Sequence, residues 1–350
     1  MRTITICDPS LRDGNHCVKH KIDLDSVARY CKFADEARIP IIEVGHGNGL
    51  GASSLLIGQM PHSDFQMLTV ARGNLKRTKL GVLVIPGLGT IKKDIQPAID
   101  IGVDVFRVAS HVTEADITQK HIEYVRNKGK TAYGVLMMSA LANTKILVSE
   151  AKKMEEYGAE TFLIMDSTGT YMPRDIEDRI KALKDNLSIR IGFHGHNNLG
   201  LAIANSLVAV QYGADIIDAC IRGFGAGAGN TQLEIIIPVL EQYGFNTDID
   251  FQRVIVEADN VMNYLVKNAP ITAPINILTG LHKLFSGFEK PIVKASKLYG
   301  LQYSSLIFEL GNRKLVAGQE DLILEVAQNL KRRPHEDFTN GWGRIPCPQS

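Results

Sequence analysis

Short runs of apolar, largely β-branched residues recur through the first two-thirds of the chain. They are Thr3–Cys7, Ile39–Val44, Leu80–Ile85, Val103–Val108, Thr131–Met138, Thr161–Met165, Ile189–Phe193 and Asp215–Cys220. Runs of this length and composition predict buried strands. Between them, residues 24–37, 91–101, 115–127, 144–157, 174–186 and 198–212 have helical spacing. Gly102, Gly158 and Gly213 follow three of these stretches, as expected for a helix C-cap ahead of a strand. Beyond residue 250 the strand pattern stops. Residues 251–267, 280–299 and 319–331 have helical spacing, with breaks expected around Pro270, Pro274 and Pro291. The stretch from Lys331 to Ser350 is rich in charge, Gly and Pro, holds the lone Trp342, and is expected to be a flexible tail.

Strict alternation of strand and helix implies parallel pairing with crossover helices. An open doubly wound sheet alternates in the same way, but a count of eight strands between residues 3 and 220 favours closure. The predicted fold class is therefore α/β: a (β/α)8 TIM barrel with a C-terminal helical extension. The expected domains are a catalytic barrel over 1–250, a helical domain over 251–330 and the tail over 331–350.

Composition narrows the setting. Of 350 residues, 45% are hydrophobic and 22% charged, as in ordinary globular proteins. A formal net charge of +1 gives no reason to expect nucleic acid or an anionic membrane as partner. No apolar run reaches the ~20 residues of a membrane span, and the N-terminus lacks a signal-peptide pattern. Five scattered cysteines without CxxC spacing suit a reducing cytoplasm.

The chemistry should lie where the barrel strands end. His194-Gly195-His196 closes the seventh run, and side chains two apart on a strand share a face. The first run leads into Arg12, Asp13 and His16. Asp13, His194 and His196 are the expected metal ligands, with Asn230 as a further ligand through its amide oxygen. A 2-His-1-carboxylate set leaves positions open for substrate and suits Mn²⁺, Mg²⁺ or a similar ion. Arg12 can stabilise an enolate oxygen beside the metal, or form a structural ion pair. His16 is placed to act as general base, or to cap the loop. Ser167, after the sixth run, can bind a substrate carboxylate or cap a helix. Glu43 is expected to pair with a cation such as Arg12, and His46, Arg107 and His111 to fix loops or support the site. Gly223-x-Gly225-x-x-Ala228 matches a dinucleotide fingerprint formally, but it follows the last strand of the series and lacks the required βαβ context.

Four segments carry a resemblance: Leu11-Arg12-Asp13-Gly14-Asn15-His16, Glu43-Val44-Gly45-His46-Gly47, His194-Gly195-His196-Asn197-Asn198-Leu199 and Gly225-Ala226-Gly227-Ala228-Gly229-Asn230. They resemble the HMG-CoA lyase-like metal-dependent barrels. Within that group, His111–Asp116, Leu136–Ser139, Phe308–Gly311 and Gly318–Asp321 resemble the 4-hydroxy-2-oxovalerate aldolase family. The likeness runs from about residue 3 to 330. It implies a class II aldolase, typically Mn²⁺-dependent with Mg²⁺ or Co²⁺ as alternates, cleaving a 4-hydroxy-2-oxo acid to pyruvate and an aldehyde. Asp13, His194 and His196 would hold the metal that chelates the 2-oxo acid. Arg12 would stabilise the pyruvate enolate, and His16 would take the 4-hydroxyl proton. The family also implies an acylating acetaldehyde dehydrogenase partner that receives the aldehyde past the C-terminal helices.

Two positions depart from the family pattern. Phe285 stands where the family has a tyrosine, with His282 three residues earlier as a substitute. Thr168 replaces a glycine after Ser167, adding bulk and a hydroxyl near the expected carboxylate site. Two other readings remain open from the residues. One is a Claisen-type synthase joining an acyl-CoA to a 2-oxo acid, and the other is a non-catalytic barrel that keeps only the binding site.

Overall fold

The computed structural model describes residues 1–332 apart from 314 and 317. Eight parallel strands close in chain order: β1 (Thr5–Leu11), β2 (Ile41–Val44), β3 (Lys79–Val84), β4 (Val105–His111), β5 (Thr131–Met137), β6 (Thr161–Asp166), β7 (Arg190–Gly195) and β8 (Ile216–Asp218). Closure comes from pairing of β1 with β8, Thr5 opposite Ile216 and Cys7 opposite Asp218. The eight-strand barrel and the C-terminal helices match the expectation; the open sheet is ruled out.

The strands are near-continuously apolar because both faces are covered. Residues such as Leu83, Val135, Leu163 and Met165 fill the barrel interior, with Ile41, Val105 and Tyr133 in a separate cluster. The opposite faces, including Ile6, Ile42, Phe106, Phe162 and Phe193, pack against the surrounding helices. Those helices are α1 (Leu24–Glu36), α2 (Asp64–Asn74), α3 (Gln96–Ile101), α4 (Gln119–Asn127), α5 (Thr144–Glu156), α6 (Pro173–Asn186), α7 (Ala202–Gln211) and α8 (Leu233–Gln242). The pattern did not predict α2 or α8, and it started α7 four residues early. Residues 198–201 instead form a loop that reaches the C-terminal helices.

α9 (Phe251–Asn260) shares the barrel's core through Val254 and Ala258. A second core, built on Leu284, Phe288, Ile292, Leu306, Leu310 and Val326, unites α10 (Pro274–Leu281), α11 (Glu289–Tyr299), α12 (Tyr303–Asn312) and α13 (Glu320–Arg332). The predicted helix over 280–299 is therefore two helices, and α12 was not expected. Pro291 does not break α11, because it lies in the first turn, where a missing N–H costs no intrahelical bond. Lys331 and Arg332, placed in the tail by the sequence reading, end α13; the rest of the expected tail lies outside the described residues.

Three polar ties hold the helical unit over the C-terminal mouth of the barrel. Asn198 Nδ2 donates to the Asn276 carbonyl and to Thr279 Oγ1, both at 3.2 Å. Ser286 donates its N–H and its hydroxyl to the Ser167 carbonyl, at 3.2 and 3.0 Å. Thr170 Oγ1 donates to the Gly280 carbonyl at 2.6 Å. Lys290, on α11, also reaches the His16 carbonyl at 2.6 Å.

Candidate active site

Among the described residues, Asp13, His194 and His196 form a group whose ligand atoms all lie within 4.8 Å of one another. Asp13 opens a 3-10 turn directly after β1, His194 is the penultimate residue of β7, and His196 lies just past that strand. His194 Nε2 and His196 Nε2 face each other at 3.3 Å. Two imidazole nitrogens aimed at one point beside a carboxylate are a donor set for a divalent ion. His194 Nδ1 is 2.7 Å from Asp218 Oδ2, so the carboxylate takes the Nδ1 hydrogen and leaves the Nε2 lone pair facing the site. Asn230 donates Nδ2 to Asp13 Oδ2 at 2.7 Å, and its buried Oδ1 has no hydrogen-bond partner. Such an orphaned carbonyl oxygen beside the triad fits a cation. Burial opposes ionisation of Asp13, but the Arg12 guanidinium and the adjacent imidazoles hold its carboxyl well below the usual range. Burial also pushes His196 down to about 3, which keeps its imidazole neutral near pH 7 and able to serve as a metal donor.

Arg12 is buried and heavily bonded. Nη1 donates to Asp13 Oδ1 at 2.7 Å and to the Gly47 carbonyl at 3.3 Å, and Nε and Nη2 donate to Glu43 Oε2 at 3.1 Å each. These bonds use four of the five guanidinium hydrogens, leaving one on Nη2 for an incoming oxygen. The expected pairing of Glu43 with Arg12 is thus observed. Behind it, Arg107 Nη1 lies 3.1 Å from the same Glu43 oxygen, and Arg107 Nη2 lies 2.6 Å from Asp218 Oδ2. Asp218 was missed by the sequence reading, although it ends β8 as His194 nears the end of β7. The rule that polar residues at strand ends build the site would have found it.

His16 stands at the opening, with its pKa lowered by burial against the opposing pull of Asp13. A cleft of about 250 Å³ leads to it, walled by Leu56, Ile57, Phe285 and Lys290 among others. Phe285 therefore lies at the mouth, whereas His282 packs edge-on against Phe308, with ring centroids 5.7 Å apart, and does not line the cleft. Ser167 is buried, and its Oγ accepts the Met138 N–H at 2.9 Å, so its own hydrogen is left to donate. Thr168 turns its hydroxyl to Asp166 Oδ1 at 3.2 Å. The extra hydroxyl is thus engaged in loop structure. His46 fixes its loop, with Nε2 on the Gly58 carbonyl at 3.0 Å and Nδ1 accepting the Asn48 N–H at 3.1 Å. Among the described residues, no helix is long and apolar enough to cross a membrane.

Comparison with known proteins agrees with this geometry. The HMGL-like family matches residues 3–261, and the DmpG-like communication domain matches residues 270–332. A 4-hydroxy-2-oxovalerate aldolase of Pectobacterium atrosepticum is 51% identical over 340 residues, covering 97% of this chain and 99% of the relative. One of Spirochaeta aurantia is 53% identical over 330 residues, covering 94% and 97%. The carboxyl transferase domain of Rhizobium etli pyruvate carboxylase superposes with a TM-score of 0.76 at 16% identity, covering 95% of this chain and 60% of that one, a likeness of fold alone. The chain belongs to the HMGL-like family, in the branch of the 4-hydroxy-2-oxovalerate aldolases.

Proposed function

We propose that this chain is a divalent-metal-dependent aldolase, a carbon–carbon lyase that cleaves a 4-hydroxy-2-oxo acid such as 4-hydroxy-2-oxovalerate into pyruvate and an aldehyde. The carrying observation is the convergence of Asp13, His194 and His196 beside Arg12, with the Asn230 amide bonded to Asp13 and its buried Oδ1 left without a partner. A dication held there, Mn²⁺ first and Mg²⁺ or Co²⁺ as alternates, supplies Lewis-acid polarisation of the 2-oxo group.

The chain's own residues do the rest. His16, kept neutral by burial, accepts the proton from the substrate's 4-hydroxyl oxygen as the C3–C4 bond breaks. Arg12 directs its remaining Nη2 hydrogen at the oxygen that gains charge as the pyruvate enolate forms, and its bonds to Asp13 and Glu43 hold that hydrogen in place. The Ser167 hydroxyl donates to the substrate carboxylate. The apolar wall of Leu56, Ile57 and Phe285 receives the alkyl end.

Catalysis is assigned to the barrel domain (1–250). The helical domain (251–330), whose α9 is seated on the barrel, is assigned the docking of an acylating acetaldehyde dehydrogenase that consumes the aldehyde. The match of residues 270–332 to the DmpG-like communication domain supports that assignment. The enzyme works in the cytoplasm on small 2-oxo acids, without nucleic acid or membrane.

The test is chelation followed by reloading with Mn²⁺, Mg²⁺ or Co²⁺. Pyruvate release is then followed from 4-hydroxy-2-oxo acids of increasing chain length. Activity lost on chelation and best restored by Mn²⁺ supports the proposal. Full activity without metal, or release of free CoA from acetyl-CoA and a 2-oxo acid in place of pyruvate formation, overturns it.

A further inference from the structure

Arg107 projects from β4 into the barrel interior and is completely buried. Its two terminal nitrogens reach two different carboxylates: Nη1 to Glu43 Oε2 at 3.1 Å and Nη2 to Asp218 Oδ2 at 2.6 Å. Each of those oxygens has a second task. Glu43 Oε2 also takes Nε and Nη2 of Arg12, and Asp218 Oδ2 also takes Nδ1 of His194. The other oxygens, Glu43 Oε1 and Asp218 Oδ1, are buried without hydrogen-bond partners. Both carboxylates are therefore held on the face that Arg107 touches.

We propose that Arg107 is a positioning residue that fixes, through Asp218 and Glu43, both the metal-facing edge of His194 and the substrate-facing edge of Arg12. The planar fork is what allows this. Two nitrogens set in one rigid plane can hold two carboxylates at a fixed separation, whereas a lysine ammonium is a single point on a flexible stem. Metal affinity and enolate stabilisation thus share one support in Arg107, so a change at Arg107 alters both, whereas a change at either carboxylate alters one. This inference rests on the reading that Asp13, His194 and His196 hold the dication.

The test compares wild type with Arg107→Lys, Asp218→Asn, Glu43→Gln and the Arg107→Lys/Asp218→Asn double variant. Mn²⁺ affinity is measured by electron paramagnetic resonance of the free ion, and kcat and KM at saturating Mn²⁺. Asp218→Asn should weaken Mn²⁺ by about 10–100-fold, the usual cost of losing a carboxylate behind a metal-binding histidine. Arg107→Lys should weaken it too, and the double variant should be no weaker than its worse parent. Glu43→Gln should keep wild-type Mn²⁺ affinity and lower kcat, and Arg107→Lys should share that fall in kcat. A folded Arg107→Lys with wild-type Mn²⁺ affinity, or Mn²⁺ losses that multiply in the double variant, overturns the proposal. If Arg107→Lys does not fold, the Glu43→Gln/Asp218→Asn cycle decides. The two carboxylates are joined through Arg107, so non-additive effects on kcat support the proposal and independent effects overturn it. Wild-type protein that binds no Mn²⁺ would instead sink the reading of the site itself.

Discussion

The imidazole of His16 lies against the backbone of Gly47 so closely that a Cβ on Gly47 would stand 2.4 Å from Nε2. Gly47 also offers its carbonyl to Arg12, 3.3 Å from Nη1. One glycine in the β2 loop thus seats both the expected base and the expected enolate-stabilising cation. Gly47→Ala should displace His16 and lower kcat by about 10²-fold or more, the scale of a lost general base. Bound Mn²⁺, measured by metal analysis, should stay at the wild-type level because the atoms nearest a Gly47 Cβ belong to His16. Loss of the metal would show that the loop supports the ligands as well.

The two candidates for the absent tyrosine separate cleanly by position. Phe285 lines the cleft and His282 does not. Phe285→Ala should raise KM for 4-hydroxy-2-oxo acids with longer alkyl ends, because an apolar wall is removed. His282→Ala should leave kcat and KM within about twofold while lowering thermal stability, since its ring packs on Phe308. Steady-state kinetics across a chain-length series checks both. A collapse of kcat in His282→Ala would return it to the active site.

Ser286 ties the helical domain to the barrel through the Ser167 carbonyl, and its hydroxyl also reaches Asn198 Oδ1 at 3.0 Å. Ser286→Ala should cost about 1–3 kcal/mol, because the one hydroxyl hydrogen shared by the Ser167 carbonyl and Asn198 Oδ1 is lost, while the Ser167 carbonyl keeps the backbone N–H. Urea denaturation checks this value. An unchanged midpoint would mean that the apolar second core alone secures the domain.

Asp8 is a buried residue of β1 itself, accepting from Tyr30 Oη at 2.6 Å and Ser10 Oγ at 2.5 Å. Burial pushes its carboxyl up to about 6 despite those bonds. Because the folded pKa exceeds the unfolded value, the folded state binds the extra proton between about pH 4 and 6. Stability from this group is full below that window and is lost as pH rises through it. Asp8→Asn should abolish that slope, and wild type should lose about 2 kcal/mol relative to the variant between pH 4 and 7. Parallel urea titrations at the two pH values measure the difference. A pH-independent difference would place the titration elsewhere.

Much of this molecule was legible because strand length and alternation survive at the level of local sequence. The eight apolar runs mark the eight strands, with ends displaced by a few residues. Likewise, His194 and His196 share a face because the chain is extended there. The missed helices had physical reasons for being missed. α2 buries only Met67, Leu68 and Ala71, too few for a clear helical period, although Ser63 and Gln66 form a capping box at its start. α8 contains Ile235-Ile236-Ile237 followed by Pro238, a run that looks like a buried strand ending at a proline. Glu43 and Arg107 stood out as strand-end residues, but their joining to Asp218 in one relay was not legible. Its members come from β2, β4 and β8, and only barrel closure brings them together.

The buried ion cluster is also unbalanced in charge. Arg12 and Arg107 contribute two positive charges against the three negative ones of Asp13, Glu43 and Asp218. Without a cation these five buried groups carry an excess of one negative charge, an electrostatic reason for them to hold a dication. A dication held by Asp13, His194 and His196 would turn that balance positive by one and so favour an anionic substrate. Under the proposed function, metal would then bind ahead of the 2-oxo acid, whose own carboxylate would complete the charge balance.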